Sequence, residues 1–293
     1  MSHAIAFLFP GQGRTPEALP AGSKRIDRLF ALAEERGLPL RTWIAEGRAN
    51  TLARTENAQP ALLIDCLARE ENLRLAGWIP NAVAGHSLGE YSALVSSGAL
   101  GALDALGAVI ERGRVMSGID GTMAAILRLD IDAVQSLCVE VGSGVCIANH
   151  NGPTQIVVSG ERASVEELSR RAEEIGGRSI ALQVSGPFHS PLMNPAQDAL
   201  EPFLRRIEFR APEVTMVSSV TATVQRAPER LRETLCRQMT ARVRWLDVIH
   251  QLEGLDMTAA VEVGSGDVLT RLGRRMPTGI RFMTYEEAID ERV

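Results

Sequence analysis

The chain has 293 residues, 45% hydrophobic and 23% charged, with a formal net charge of −5. That length can bury a large core in one big domain, or in a big and a small one, and the balanced composition excludes a disordered or fibrous protein. The negative net charge gives no reason to expect nucleic acid, and the four cysteines, with no Cys-x-x-Cys pair, read as small buried hydrophobes in a reduced, cytoplasmic setting.

Lys24 is the only lysine. Arginine clusters such as Arg271, Arg274 and Arg275 therefore reflect composition first and carry little weight alone. No basic leader opens the chain, the first apolar run stops at Pro10-Gly11, and no later stretch approaches a membrane span. Neither secretion nor membrane insertion is expected.

Ala4 to Phe9 is a continuous apolar run suited to a buried parallel strand, ended by the turn Pro10-Gly11-Gln12-Gly13. Open α/β sheets place ligands at such turns, so Gln12 is a candidate site residue, with a plain connecting turn as the alternative. Residues 25–36 carry Ile26, Leu29, Phe30 and Ala33 at helical spacing. The spacing predicts further helices from Pro60, as the first helical residue, to Ala76, and from Leu103 to Met116. Arg112 and Arg114 fall in the last turns of the latter, where a cation complements the helix dipole at a solvated end.

Between these helices a strand-like stub, Asn81 to Ala84, runs into Gly85-His86-Ser87-Leu88-Gly89 and then into the small residues Ser92, Ala93, Ser96 and Ser97. Strand, Gly-x-Ser-x-Gly and helix, in that order, make a nucleophile elbow: the glycines allow a sharp turn that lifts the serine oxygen to a helix N-terminus. The Leu88 N–H and the helix dipole would then face charge developing on a carbonyl attacked by Ser87. The pattern by itself is common; its flanks favour the catalytic reading.

Residues 121–185 change character. Strands are expected at Thr122–Leu129, Val145–Ala148, Ile156–Ser159 and Ser179–Val184, with helices at Ile131–Val141 and Ser164–Ile175, the second opened by a Ser164/Glu167 capping box. The order β-α-β-β-α-β is the ferredoxin-like signature, here a small subdomain inserted between residues 1–120 and 186–293. Beyond it, helices are expected at Ala196–Ile207 and around 228–239 and 245–253, with strands at Val214–Val217 and Ala259–Val263. The turn Gly264-Ser265-Gly266, a helix to Arg275 and a strand near Ile280 close the series. Strands alternating with helices on both sides of the insertion predict an α/β protein with one mostly parallel sheet, covered on both faces.

A serine nucleophile needs a base. Among five histidines, His3 lies at the terminus, His250 in a helix, and His86 beside the serine with its ring pointing away. His150 and His189 sit in Gly/Pro-punctuated segments, and both remain open on the residues alone; the position of His189 where the chain re-enters the sheet counts in its favour. Asp198, Asp247 and Asp267 read as helix-surface residues, so no acid stands out as a third member, and a dyad oriented by a backbone carbonyl fits as well.

Seven spaced motifs, in order, are Phe9-Pro10-Gly11-Gln12-Gly13, Gln59-Pro60-Ala61, Gly85-His86-Ser87-Leu88-Gly89-Glu90-Tyr91, Arg112-Gly113-x-x-Met116, Asn149-x-Asn151, Phe188-His189-Ser190 and Glu262-Val263-Gly264-x-Gly266. Together they resemble the malonyl-CoA:acyl-carrier-protein transacylase family over nearly the whole chain. The resemblance implies an α/β-hydrolase-like large domain with a ferredoxin-like small one. It implies Ser87 as the acyl-bearing nucleophile, His189 as the base, the Gln12 and Leu88 N–H groups as the oxyanion hole, and the Gln238 main-chain carbonyl as the group orienting the histidine. Arg112 corresponds to the arginine that grips the free carboxylate of malonate; a guanidinium holds a carboxylate in two parallel hydrogen bonds. Phe188, with Met116, resembles the malonyl-selecting form.

Three features depart from the pattern: Arg14 after the first glycine turn with a shortened stretch to Lys24, Ser117 after Met116, and Gly186-Pro187 before Phe188. The implied reaction passes malonyl from malonyl-CoA through Ser87 to the phosphopantetheine thiol of a holo acyl carrier protein, in fatty-acid or polyketide synthesis. No metal or bound cofactor is implied, nor nucleic acid or membrane, and a monomer is expected. The alternatives are a hydrolase acting on acylated carrier proteins and a transferase of larger acyl groups between carriers.

Overall fold

The computed structural model describes residues 4–13, 16 and 23–292. His3, Arg14 and most of the stretch between Arg14 and Lys24 lie outside the described residues. Along the chain run β1 (Ile5–Phe9), α1 (Lys24–Glu35), α2 (Leu40–Ala45), α3 (Ala49–Leu52), α4 (Thr55–Leu75), β2 (Ala82–Gly85), α5 (Gly89–Ser96) and α6 (Ala102–Met116). Then come β3 (Thr122–Leu127), α7 (Ile131–Val141), β4 (Val145–Gly152), β5 (Gln155–Gly160), α8 (Arg162–Glu174) and β6 (Arg178–Ala181). The last part holds α9 (Asn194–Arg206), β7 (Thr215–Val217), β8 (Val224–Gln225), α10 (Pro228–Arg237), α11 (Trp245–Gly254), β9 (Ala259–Glu262), α12 (Val268–Gly273), β10 (Arg281–Met283) and α13 (Tyr285–Asp290).

The first sheet has the order β10-β9-β1-β2-β7-β8, and every pairing is parallel except β7 with β8. Side chains alternate across β1. Ile5, Phe7 and Phe9 enter a core shared with α1, α4 and α6, while Ala6 and Leu8 face Trp245, Val248 and Leu269 on α11 and α12. Burial on both faces explains the unbroken apolar run. The register pairs Phe9 with Gly85 and Leu8 with Glu262, so the turns after β1, β2 and β9 emerge at one edge of the sheet. Packing there is tight: a Cβ on Gly264 would lie 2.6 Å from the Pro10 ring.

The second sheet, β4-β5-β3-β6, is antiparallel throughout and has the ferredoxin-like order. One face packs on α7 and α8 through Ile126, Val134, Ile156 and Leu168, while Met123, Ala125, Ala148 and Val157 join the large core on the other. The β4 strand also runs into the large unit, where the His150 N–H donates to Val243 O at 2.8 Å and the Val243 N–H donates to Ala148 O at 2.8 Å.

Several local expectations need correction. The α4 helix begins at Thr55 rather than Pro60, which lies inside it. Proline removes a helical donor near the Thr55 and Glu56 carbonyls, and α6 approaches there so closely that a Cβ on Gly113 would lie 2.9 Å from the Glu56 Cα. The α8 helix starts at Arg162, and its N-cap residue Glu161 makes no side-chain cap. The Ser164/Glu167 capping box does not form, because Glu167 instead accepts from Arg170 and Arg171. The β4 strand continues to Gly152, which puts Asn149, His150 and Asn151 in a strand and not a loop, while β6 ends at Ala181. The short elements α2, α3, β8 and α13 had no sequence expectation.

Candidate active site

The elbow is enforced by contact. A Cβ on Gly85 would lie 2.1 Å from Gly89 backbone atoms, and one on Gly89 would lie 2.0 Å from Phe9 O, so both positions admit only glycine. Between them Ser87 is held at φ 52°, in the left-handed region that side chains disfavour. Its Oγ lies 2.7 Å from His189 Nε2.

His189 leaves the small sheet's last connection at φ 60° and is 3% exposed. Its N–H donates to Met239 O at 3.0 Å, and the next residue, Ser190, donates its hydroxyl to Pro187 O at 2.6 Å. On the far side of the ring, Nδ1 faces two carbonyl oxygens, Gln238 O at 3.0 Å and Ala241 O at 2.9 Å. Only a protonated Nδ1 satisfies them, which leaves the Nε2 lone pair for the Ser87 hydroxyl. Burial, and secondarily the charge of Arg112, pushes the imidazole down to about 3. It is therefore neutral near pH 7, as a base must be.

His150 is part of β4, and among the described residues no hydrogen bond joins it to Ser87; the His86 ring bonds Asn151 Oδ1 at 2.9 Å and meets Trp245 edge-on. Asp198 is exposed on α9, Asp247 pairs with Arg244, and Asp267 pairs with Arg271. None of these acids is a partner of His189, and two carbonyls occupy the place where a carboxylate would stand.

Arg112 is 2% exposed, which overturns the reading of a solvated helix end. Its Nη1 donates to Gln59 Oε1 at 2.7 Å, and its Nη2 lies 3.4 Å from both Ser87 Oγ and Gln238 Oε1. The Tyr91 ring lies 5.9 Å beneath the guanidinium, and Nε has no partner. Among the described residues no carboxylate pairs with it. Gly113 is the reason for its depth, since the absent side chain lets α6 seat Arg112 against Gln59 of α4. Burying a cation without a counter-ion is costly, so the arrangement suits an acyl group that carries its own negative charge.

Gln12 follows β1 at the same sheet edge, its side chain donating to Thr55 Oγ1 at 3.2 Å, and Leu88 stands at the N-terminus of α5. Among the described residues neither N–H donates to a backbone carbonyl, which leaves both available to a ligand oxygen. Phe188 is 7% exposed, and Met116 is 2% exposed with its sulfur accepting from Gln59 at 3.4 Å. Gln238 does more than present its carbonyl: its side-chain nitrogen donates to Ser87 O at 2.9 Å and to Glu90 Oε2 at 2.8 Å. Glu90, Gln59 and Ala241 were not expected to take part. The first two lie inside motifs that single out their neighbours, whereas Ala241 acts through its backbone and has no side-chain signature.

The chain and its fold are similar to known proteins. A family model described as an acyl transferase domain matches residues 15–276. The malonyl CoA-acyl carrier protein transacylase of Bacillus subtilis is 40% identical, over 97% of this chain and 93% of that protein. The acyl-carrier-protein S-malonyltransferase of Burkholderia pseudomallei superposes with a TM-score of 0.90 at 34% identity, covering 98% of each chain. A malonyl-transacylase solved in complex with its type II polyketide acyl-carrier protein gives 0.88 at 31% identity, over 98% of this chain and 99% of that one.

Proposed function

The chain belongs to the malonyl-CoA:acyl-carrier-protein transacylase family, and on that premise we propose that it moves malonyl from malonyl-CoA to the phosphopantetheine thiol of a holo acyl carrier protein through an ester on Ser87. In the first step Ser87 Oγ attacks the thioester carbonyl while its proton passes to His189 Nε2. The oxyanion is received by the Gln12 and Leu88 N–H groups, the C–S bond breaks, and the proton leaves with the coenzyme A thiolate. In the second step His189 takes the carrier thiol's proton, the thiolate attacks the ester, and the proton returns to Ser87. Gln238 O and Ala241 O hold the imidazole tautomer that accepts at Nε2 and stabilise the imidazolium that forms within each step.

One observation carries the reading: a buried guanidinium, without a carboxylate partner among the described residues, whose Nη2 lies 3.4 Å from the nucleophile. A malonyl group offers the missing anion at the right distance from its thioester carbon. Phe188 and Met116 then bound the space around the acyl carbon. The acyl chamber lies where residues 121–185 fold back on the larger part formed by 1–120 and 186–293, which we take as the two subdomains.

The carrier partner is read from charge. Arg128, Arg178 and Arg275 line a cavity of about 260 Å³ together with Asn151, the partner of His86. Arg271 and Arg274 are ion-paired, but among the described residues no ion pair involves Arg128, Arg178 or Arg275. Such a surface complements an acidic carrier and its phosphate. The reaction needs no metal or redox cofactor. We take the enzyme as a cytoplasmic monomer; among the described residues no helix is long and apolar enough to cross a membrane.

The test is intact mass after brief exposure to malonyl-CoA, beside acetyl-CoA, methylmalonyl-CoA and a Ser87→Ala protein. One malonyl adduct, absent in Ser87→Ala and removed by holo carrier, is the expected result. Release of coenzyme A with no adduct would make the protein a hydrolase. Labelling only from longer acyl carriers would make it a transferase of larger groups.

A further inference from the structure

Glu90 is the second residue of α5, 3% exposed, and the nucleophile's mechanism leaves it unused. Its Oε2 accepts from the Ser219 hydroxyl at 2.8 Å and from Gln238 Nε2 at 2.8 Å. The same Gln238 nitrogen donates to Ser87 O at 2.9 Å, and Gln238 Oε1 faces Arg112 Nη2 at 3.4 Å. A carboxylate, an amide and a guanidinium thus stand in series, and the amide also touches the nucleophile's own backbone.

We propose that Glu90 is a positioning residue that acts through the Gln238 side chain to aim Arg112 at the acyl carboxylate. An amide can present either end. With its nitrogen turned toward Arg112, two donors would face each other, and its oxygen would meet the Glu90 carboxylate and Ser87 O. An acceptor at Glu90 excludes that orientation, so Gln238 Oε1 is always the group opposite Arg112. Gln59 Oε1 fixes Nη1 on the other side, and the pair of amide oxygens sets the guanidinium plane beside Ser87 Oγ. Burial pushes the Arg112 guanidinium down, and a negative charge on Glu90, one amide away, works against that push; among the described residues no carboxylate pairs with Arg112 directly. This arrangement supplies counter-charge without occupying the guanidinium face that a substrate carboxylate would take.

The inference rests on the proposed malonyl reading, and the experiment separates the two. Single-turnover acylation of Ser87 by malonyl-CoA and by acetyl-CoA is measured by intact mass in the wild type, Glu90→Gln and Gln238→Met, with thermal unfolding alongside. Methionine keeps the backbone carbonyl toward His189 and removes the amide. Failure of the wild type to take malonyl would overturn the proposed function itself. With the wild type acylated, the expected result is that each variant lowers the malonyl-to-acetyl ratio of kcat/KM about tenfold, and that the double variant lowers it no further. A merely structural role would slow both donors equally. An unchanged ratio in either folded variant overturns the proposal; if Glu90→Gln does not fold, an unchanged ratio in Gln238→Met still overturns it, and Ser219→Ala, which loosens the Glu90 carboxylate, is expected to lower the ratio in its place.

Discussion

Ser87 and His189 meet at 2.7 Å between Oγ and Nε2, and both hold left-handed backbone, at φ 52° and 60°. Non-glycine residues in that region persist only where the surroundings over-determine them. The two side chains are each aimed by such a conformation: Ser87 through the flanking glycines, His189 through the Met239 and Pro187 carbonyls.

The glycines are therefore expected to be intolerant of even one carbon. Gly85→Ala and Gly89→Ala place a Cβ about 2 Å from backbone atoms, so either the elbow or the sheet edge must move. The predicted cost is at least 3 kcal/mol in chemical denaturation, on the order of the largest single-site effects, with loss of Ser87 acylation. A variant that unfolds within about 0.5 kcal/mol of the wild type and still acylates would refute the account of the turn.

Stability should depend on pH through His189. Its folded value is pushed down to about 3, below the roughly 6.5 of an unfolded histidine. Between those values the unfolded chain binds a proton that the native one does not, so this contribution is whole above about pH 6.5 and is lost as pH falls toward 3. The slope for one such group approaches about 1.4 kcal/mol per pH unit. Denaturation midpoints of the wild type and His189→Gln, taken from pH 7 to pH 4.5, should converge as pH falls; parallel curves would mean that the imidazole is not held neutral.

The alternation of strands and helices was readable because apolar runs and helical spacing report burial directly, as in Ile5–Phe9 and α1. Ser87 could be singled out because its elbow motif carries chemistry, whereas the resemblance to a family singled out Arg112 and chose His189 over His150. The sequence could not show that Arg112 is buried: its position in the last turn of α6 reads as solvent, and only the contact of Gly113 with α4 makes it interior. Nor could it show how Gln238 and Glu90 connect, since Glu90 and Gln238 come together only through the fold. Pro60 misled in the opposite sense, because a proline rule for helix starts is overridden by α4 packing against α6.

Arg112 couples stability against function. Among the described residues the buried cation has an unpartnered Nε and no carboxylate partner, so Arg112→Met should raise the thermal midpoint, by an amount equivalent to about 1–3 kcal/mol. The same change should slow malonyl acylation of Ser87 at least about 100-fold through loss of a charge-assisted bidentate contact, while acetyl acylation falls less. Calorimetry with mass-detected acylation checks both; a less stable variant, or equal losses for the two donors, would refute the reading of Arg112 as a waiting counter-ion.

Phe188 should govern acyl branching. The ring is 7% exposed and belongs to the residue next to His189, and one methyl in an apolar pocket discriminates by about 1–3 kcal/mol. Phe188→Ala is expected to bring methylmalonyl-CoA acylation to within about tenfold of malonyl, with the wild type separating them by about 10- to 100-fold. Competition between the two donors, read as adduct masses, checks this; an unchanged ratio would move the selecting residue elsewhere.

The unpaired arginines predict that the two half-reactions respond differently to surface charge. Arg128, Arg178 and Arg275 converge on one cavity from just after β3, from β6 and from just after α12, although they are far apart in sequence, and compositional bias toward arginine does not explain why, among the described residues, these three lack acidic partners when Arg271 and Arg274 have them. Reversing Arg128 and Arg178 to Glu should raise the KM for holo carrier about tenfold per residue at low salt, by lost electrostatic steering and contact. Carrier transfer by the wild type should weaken with added salt, and that dependence should flatten in the variants, because fewer opposite charges remain to be screened. Acylation of Ser87 by malonyl-CoA reports the first half-reaction separately: if docking of the carrier protein is what these arginines serve, it changes far less than transfer. Equal losses in both halves would instead assign the cavity to a phosphate common to coenzyme A and the carrier's prosthetic arm, and no loss in either would place carrier docking on another face.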